Sequence, residues 1–141
     1  MSHRQDHGWQ LDPRLADDTH PVAMLELSEL RLMDDANHPW LILVPRIEHM
    51  VEWIDLDPDQ QAQLTREIDL TSRALQQAFR PYKLNVAALG NQVSQLHVHV
   101  IARFESDIAW PRPVWGTVSA KPYSPEKLVA RIRQLQAVLP D

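Results

Sequence analysis

Residues 94–104, Ser-Gln-Leu-His-Val-His-Val-Ile-Ala-Arg-Phe, alternate polar and apolar side chains from Gln95 onward. Side chains of a β-strand point to opposite faces with period two, so Val98 and Val100 take one face and Gln95, His97 and His99 the other. Upstream, KLNVAALG at 83–90 is a second strand, and Gly90 with Asn91 supplies a turn that would join the two as a hairpin. Further out, WLILVP at 40–45 is a continuous apolar run too short for a buried helix. It predicts a central strand from Trp40 to Val44 stopped by Pro45. VAMLELSELRLM at 22–33 alternates with one phase slip near Ser28 and Glu29, which suits two short antiparallel strands, a helix being the alternative.

Helices are marked by caps and periodicity. Asp57 as cap and Pro58 as first residue open a segment whose Leu64, Ile68, Leu75 and Phe79 recur at helical spacing until Pro81 ends it. Ser124, Pro125 and Glu126 open a second helix to Leu139, with a stripe of Leu128, Ile132, Leu135 and Leu139. Residues 1–20 read as a loosely packed lead-in with a possible helical turn near Pro13–Asp17. Residues 105–141 form an irregular Pro- and Trp-rich stretch followed by the second helix. No internal repeat or low-complexity segment occurs.

Length and composition narrow the functions available. A chain of 141 residues has the size of one domain, 1–141, large enough for a core of its own. With 44% hydrophobic and 23% charged residues it is of the globular class, and no apolar run approaches a membrane span. A net charge of −5 argues against a broad grip on long nucleic acid, while leaving room for a small phosphate pocket. Zero cysteines exclude thiol chemistry, zinc ribbons and iron–sulfur clusters. With only Gly8, Gly90 and Gly116, no GxGxxG or P-loop nucleotide site can be assembled. The start MSHRQDHGWQ has no apolar signal-like core, so the expected location is the cytoplasm.

His97 and His99 on one strand face admit three readings. They are part of an exposed polar sheet face; or they share a metal ion, with Glu105 as nearest third ligand; or one imidazole attacks phosphorus. Imidazole suits the third task, being largely neutral and nucleophilic at pH 7, provided one ring nitrogen is held so that the other is free. The turn at Gly90 and Asn91, whose N–H groups could receive an anion, and Arg103 at the strand end give the third reading its context.

The segment Gly90-Asn-Gln-Val-Ser-Gln-Leu-His-Val-His-Val-Ile-Ala-Arg103 resembles the signature of the histidine triad (HIT) superfamily, His-φ-His-φ-His-φ-φ with φ apolar, after a Gly- and Gln-containing turn. Trp40-Leu-Ile-Leu-Val-Pro-Arg46, with His49 shortly after, is similar to the family's apolar strand ending in Pro and a basic residue. The resemblance spans roughly Val22 to Phe104 and implies an α+β, HIT-like fold: an antiparallel sheet of about five strands with two main helices. It implies a hydrolase or nucleotidyl transferase acting at the α-phosphorus of nucleoside phosphoramidates or dinucleoside polyphosphates, with a nucleotide as partner and neither cofactor nor metal.

Position by position, the resemblance makes His97 the nucleophile and His99 a phosphate-binding, orienting residue. Gln95 stands where the first histidine is expected; it can donate an N–H but cannot titrate. Asp34 falls near the family's ribose-binding residue, and Asn91 where the turn contacts phosphate, or where a turn simply favours Asn. The alternative to an enzyme is a nucleotide- or partner-binding module that lost turnover with its first histidine. A homodimer is implied, with five tryptophans as interface candidates. Trp110 and Trp115 are expected to cover a core edge or subunit contact, with the border of a base pocket as the alternative. His38 and His49 are expected on the surface or in loops.

Overall fold

The computed structural model describes residues 8–140. Five strands form one antiparallel sheet: β1 (Thr19–Met24), β2 (Ser28–Met33), β3 (Trp40–Pro45), β4 (Lys83–Ala87) and β5 (Val98–Arg103), in the order β1-β2-β3-β5-β4. Three α-helices accompany it: α1 (Pro13–Asp18), α2 (Pro58–Phe79) and α3 (Pro125–Gln136). This is the α+β architecture that the resemblance implies.

The apolar run of β3 is explained by burial on both faces. Leu41 and Leu43 join Val98, Val100 and Ala102 of β5 in one core, which α2 and α3 cover with Leu64, Leu75 and Leu135. Trp40, Ile42 and Val44 join Ile101 in a second core on the opposite face, closed by Leu15 of α1 and by Val114. A strand sandwiched in this way has no solvent side and therefore no polar alternation. α2 begins with the expected chemistry, since Asp57 accepts from the Gln60 N–H while the Gln60 side chain accepts from the Asp57 N–H. α3 is capped by Ser124 and ends at Gln136, three residues short of expectation, although Leu139 still packs on the core.

Three expectations need correction. The turn between β1 and β2 lies at residues 25–27, not at Ser28 and Glu29, because the buried Glu67 of α2 accepts from the Leu27 and Ser28 N–H groups at 2.7 and 3.0 Å and fixes the bend there. Residues 1–7 of the lead-in lie outside the described residues, and residues 8–12 are not loosely packed: Trp9 and Leu11 lie against the second core, and Asp12 caps α1 by accepting from Arg14 N–H. Finally, β5 begins at Val98, so Gln95 and His97 lie on the ten-residue connection 88–97 that precedes the strand.

Candidate active site

His99 is carried by β5 on the face opposite Val98 and Val100, and His97 sits one step before the strand with its ring centroid 4.9 Å from that of His99. Both are buried. The Nδ1 of His97 is 2.7 Å from the carbonyl oxygen of Gln95. A carbonyl only accepts, so Nδ1 carries a proton, and in the neutral ring Nε2 keeps its lone pair. His99 is held in the opposite tautomer. The indole Nε1–H of Trp40 donates to His99 Nδ1 at 3.0 Å, which leaves the proton of a neutral His99 on Nε2. Burial, helped by repulsion from His97, lowers the His99 pKa from 6.5 to about 3, so this ring is uncharged at any ordinary pH.

The two rings open into a cleft of about 370 Å³ lined also by Leu15 and Asp18 of α1, Met33, Trp40, Trp115 and the turn 89–93. Gly90, with φ of 72°, adopts the left-handed conformation that lets this turn fold over the cleft, and Asn91 stands on its rim. Trp115 packs edge-on to His99 at 5.0 Å and to Trp40 at 5.7 Å. One of the two late tryptophans thus borders the pocket, whereas Trp110 packs on Tyr82 and Arg103 away from it.

Other expected residues are placed elsewhere. Asp34 is not among the cleft residues; its carboxylate accepts from Tyr123 N–H and lies 3.1 Å from His20 Nε2. Burial opposes its ionisation, but the Tyr123 hydrogen bond and His20 outweigh this and lower its pKa. The carboxylate on the cleft is Asp18. Gln95 does not share a strand face with His97: its Oε1 accepts from Asp12 N–H and its Nε2 donates to Gln10 carbonyl, both at 2.9 Å. Arg103 is buried and committed to Asp107, Asn85 and the Arg112 carbonyl, and it does not line the cleft. His38 lies in a loop as expected, between β2 and β3, but is buried there beside Asp107, while His49 is exposed. Glu105 is exposed beyond the strand, and no group of three His, Asp or Glu side chains suited to a metal ion occurs among the described residues.

Sequence reasoning passed over Trp40 and Asp18, and had Trp115 at a pocket border only as the alternative to covering a core edge. Trp40 had a signal, being the one side-chain hydrogen-bond donor in the apolar run and lying on the same sheet face as Ile42, the register partner of His99 two residues further along β3. Trp115 had none, because an irregular segment carries no periodicity.

The family model of the HIT domain matches residues 15–106. The chain belongs to the histidine triad family. Among solved structures it is similar to a histidine triad protein from Bradyrhizobium japonicum at 49% identity, covering 93% of this chain and 98% of that one, with a TM-score of 0.90. One from Sinorhizobium meliloti is 44% identical, covering 94% and 98%, with a TM-score of 0.91. A third, from Marinobacter aquaeolei, is 43% identical, covering 93% and 96%, with a TM-score of 0.90. No curated protein matches the chain. As a HIT-family protein it has the fold of a nucleotide-binding, hydrolase-type domain, and no described helix is long and apolar enough to cross a membrane.

Proposed function

We propose that the protein is a nucleotide hydrolase or nucleotidyl transferase in which His97 attacks the α-phosphorus of a nucleoside phosphoramidate or dinucleoside polyphosphate. The observation that carries this reading is the pair of opposed tautomers in one cleft: a bare Nε2 on His97 beside an N–H on His99. In the first step the Nε2 lone pair forms a bond to phosphorus and the leaving group departs with the electrons of its own bond, a phosphate as its anion and an amine after taking a proton from solvent. In the second, water attacks the same phosphorus, the P–N bond electrons return to Nε2, and the proton released by water goes to solvent or to the departed anion. The His99 Nε2–H donates to a non-bridging oxygen throughout, with Asn91 and the turn at Gly90 as further donors. Asp18, in place of Asp34, is the carboxylate proposed to accept from the ribose hydroxyls, and Trp115 and Met33 flank the nucleoside. Intact-mass measurement after rapid mixing with adenosine phosphoramidate and, separately, with a dinucleoside polyphosphate tests the reaction class. A mass gain of one adenylyl group is expected; tight AMP binding without any adduct or turnover would replace the enzyme with a binding module.

Trp40→Phe keeps an aromatic ring in β3, though a smaller one, and removes the N–H that selects the His99 tautomer. Turnover is expected to fall about tenfold, the loss of one donor in a buried site, with a modest drop in melting temperature from the vacated volume. Unaltered turnover would mean that the tautomer of His99 is set by something other than Trp40.

The protein is also proposed to work in the cytoplasm and as a homodimer. The outer strand β4 leaves a free edge, and Tyr82, Val86 and Leu89 are exposed on or beside it. Light scattering is expected to return twice the chain mass of 16.3 kDa. A monomer across micromolar concentrations would refute pairing.

A further inference from the structure

Gln95 occupies the place where the family pattern has its first histidine, yet both polar atoms of its amide are already used. Oε1 receives the Asp12 N–H and Nε2 donates to the Gln10 carbonyl, so a single side chain pairs with the backbone on both sides of Leu11. Asp12 is in turn the residue at which α1 starts: its carboxylate accepts from Arg14 N–H, and its carbonyl from Ala16 N–H at 3.0 Å. From α1, Arg14 reaches over to the Gln92 carbonyl at 3.1 Å, while Leu15 and Asp18 form one wall of the histidine cleft. A second observation agrees. Gln95 does not line that cleft; it borders a separate hollow of about 430 Å³ between the lead-in and residues 48–51.

We propose that Gln95 is a positioning residue: it fastens residues 10–12 to the connection bearing His97, and thereby sets α1 as the nucleoside-side wall of the cleft. This rests on the nucleotide reading above. It assigns residue 95 a part in nucleotide affinity and none in protonating the leaving group. The chemical consequence concerns substrate class. With Gln95 unable to titrate and His99 held neutral, neither supplies a proton to the leaving group, so groups that depart as stable anions, such as phosphate, pyrophosphate or sulfate, are favoured over alkoxides and unprotonated amines.

The test uses the full chain, with AMP as binding probe and a series of aryl esters of AMP as substrates of graded leaving-group acidity. Gln95→Ala should weaken AMP binding about tenfold and raise KM similarly, leaving kcat within about twofold and the dependence of rate on leaving-group pKa unchanged. Amide exchange at Asp12 and Ala16 should accelerate. Gln95→Glu, which keeps the acceptor for Asp12 N–H but loses the donor to Gln10, should be intermediate in both readouts, and it carries the test if the alanine variant folds poorly. Unchanged AMP affinity with a steeper leaving-group dependence would overturn the proposal, since residue 95 would then act on the departing group. Should the parent neither bind AMP nor turn over any ester, the nucleotide reading falls. Exchange at Asp12 and Ala16 still decides the clasp in that case: acceleration in Gln95→Ala supports it and unchanged rates refute it.

Discussion

His97→Ala is expected to lower turnover by about three orders of magnitude or more and to abolish the adenylyl adduct, while leaving the thermal melt close to that of the parent. The size follows from removing the attacking atom, which no neighbour can replace: His99 has its only lone-pair nitrogen occupied by Trp40. Little stability should be lost, because His97 lies on the connection before β5, and its one hydrogen bond among the described residues is to the local Gln95 carbonyl. His97→Gly with added imidazole offers a companion measurement, since a free imidazole entering the vacated space can attack phosphorus and be released with it. Parent-level hydrolysis by His97→Ala would remove the covalent route. Its loss together with a collapsed melt would instead be a folding effect, and the glycine variant's response to imidazole would separate the two.

The strands and long helices were legible wherever one local rule governed a whole segment. The Asp57-Pro58 start of α2 and its stop before Pro81 depend on caps, which are short-range chemistry. The two-sided burial of β3 left its mark as an uninterrupted apolar run. The β1–β2 turn was misplaced because Glu67 determines it from 40 residues away, through a carboxylate that accepts two backbone N–H groups. No alternation pattern records such a contact.

The chemistry of the site was legible in part for the same reason. His97 and His99 are near neighbours in the chain, and their spacing alone brings their rings together. Residues 8–12 were undervalued because their order comes from Gln95, more than 80 residues away, and from packing of Trp9 and Leu11 on the second core. Asp34 and Asp18 show the limit of register. Asp18 ends α1 and Asp34 follows β2, yet the Asp34 N–H donates to the Asp18 carbonyl, so the two lie side by side where β1 and β2 meet. Sequence similarity selects one of them; the shape of the cleft selects the other.

Arg103→Met is expected to destabilise the protein by about 3–5 kcal/mol, the range for breaking a buried ion pair by removing one partner. The guanidinium is almost completely buried and donates to both Asp107 oxygens, at 2.9 and 3.2 Å, as well as to Asn85 on β4 and the Arg112 carbonyl. Asp107 also accepts from the N–H groups of Phe104, Ala109 and Trp110, so the pair organises the whole turn that follows β5. Methionine fills much of the volume but leaves a buried carboxylate without its cation. In a melt at pH 7 the midpoint should fall by about 10 °C or more. Acid provides an independent reading. Burial opposes ionisation of Asp107, yet Arg103 and the backbone N–H groups outweigh it and hold the pKa at about 2, below the ordinary 3.8. A carboxylate with a depressed folded-state pKa contributes stability that is full above the unfolded value and is lost as pH falls through the folded one. The parent should therefore lose this contribution between about pH 4 and pH 2, and Asp107→Asn, less stable at pH 7, should have a flatter acid limb across that window. An Arg103→Met midpoint equal to the parent's at pH 7 would show that the pair only offsets its own desolvation.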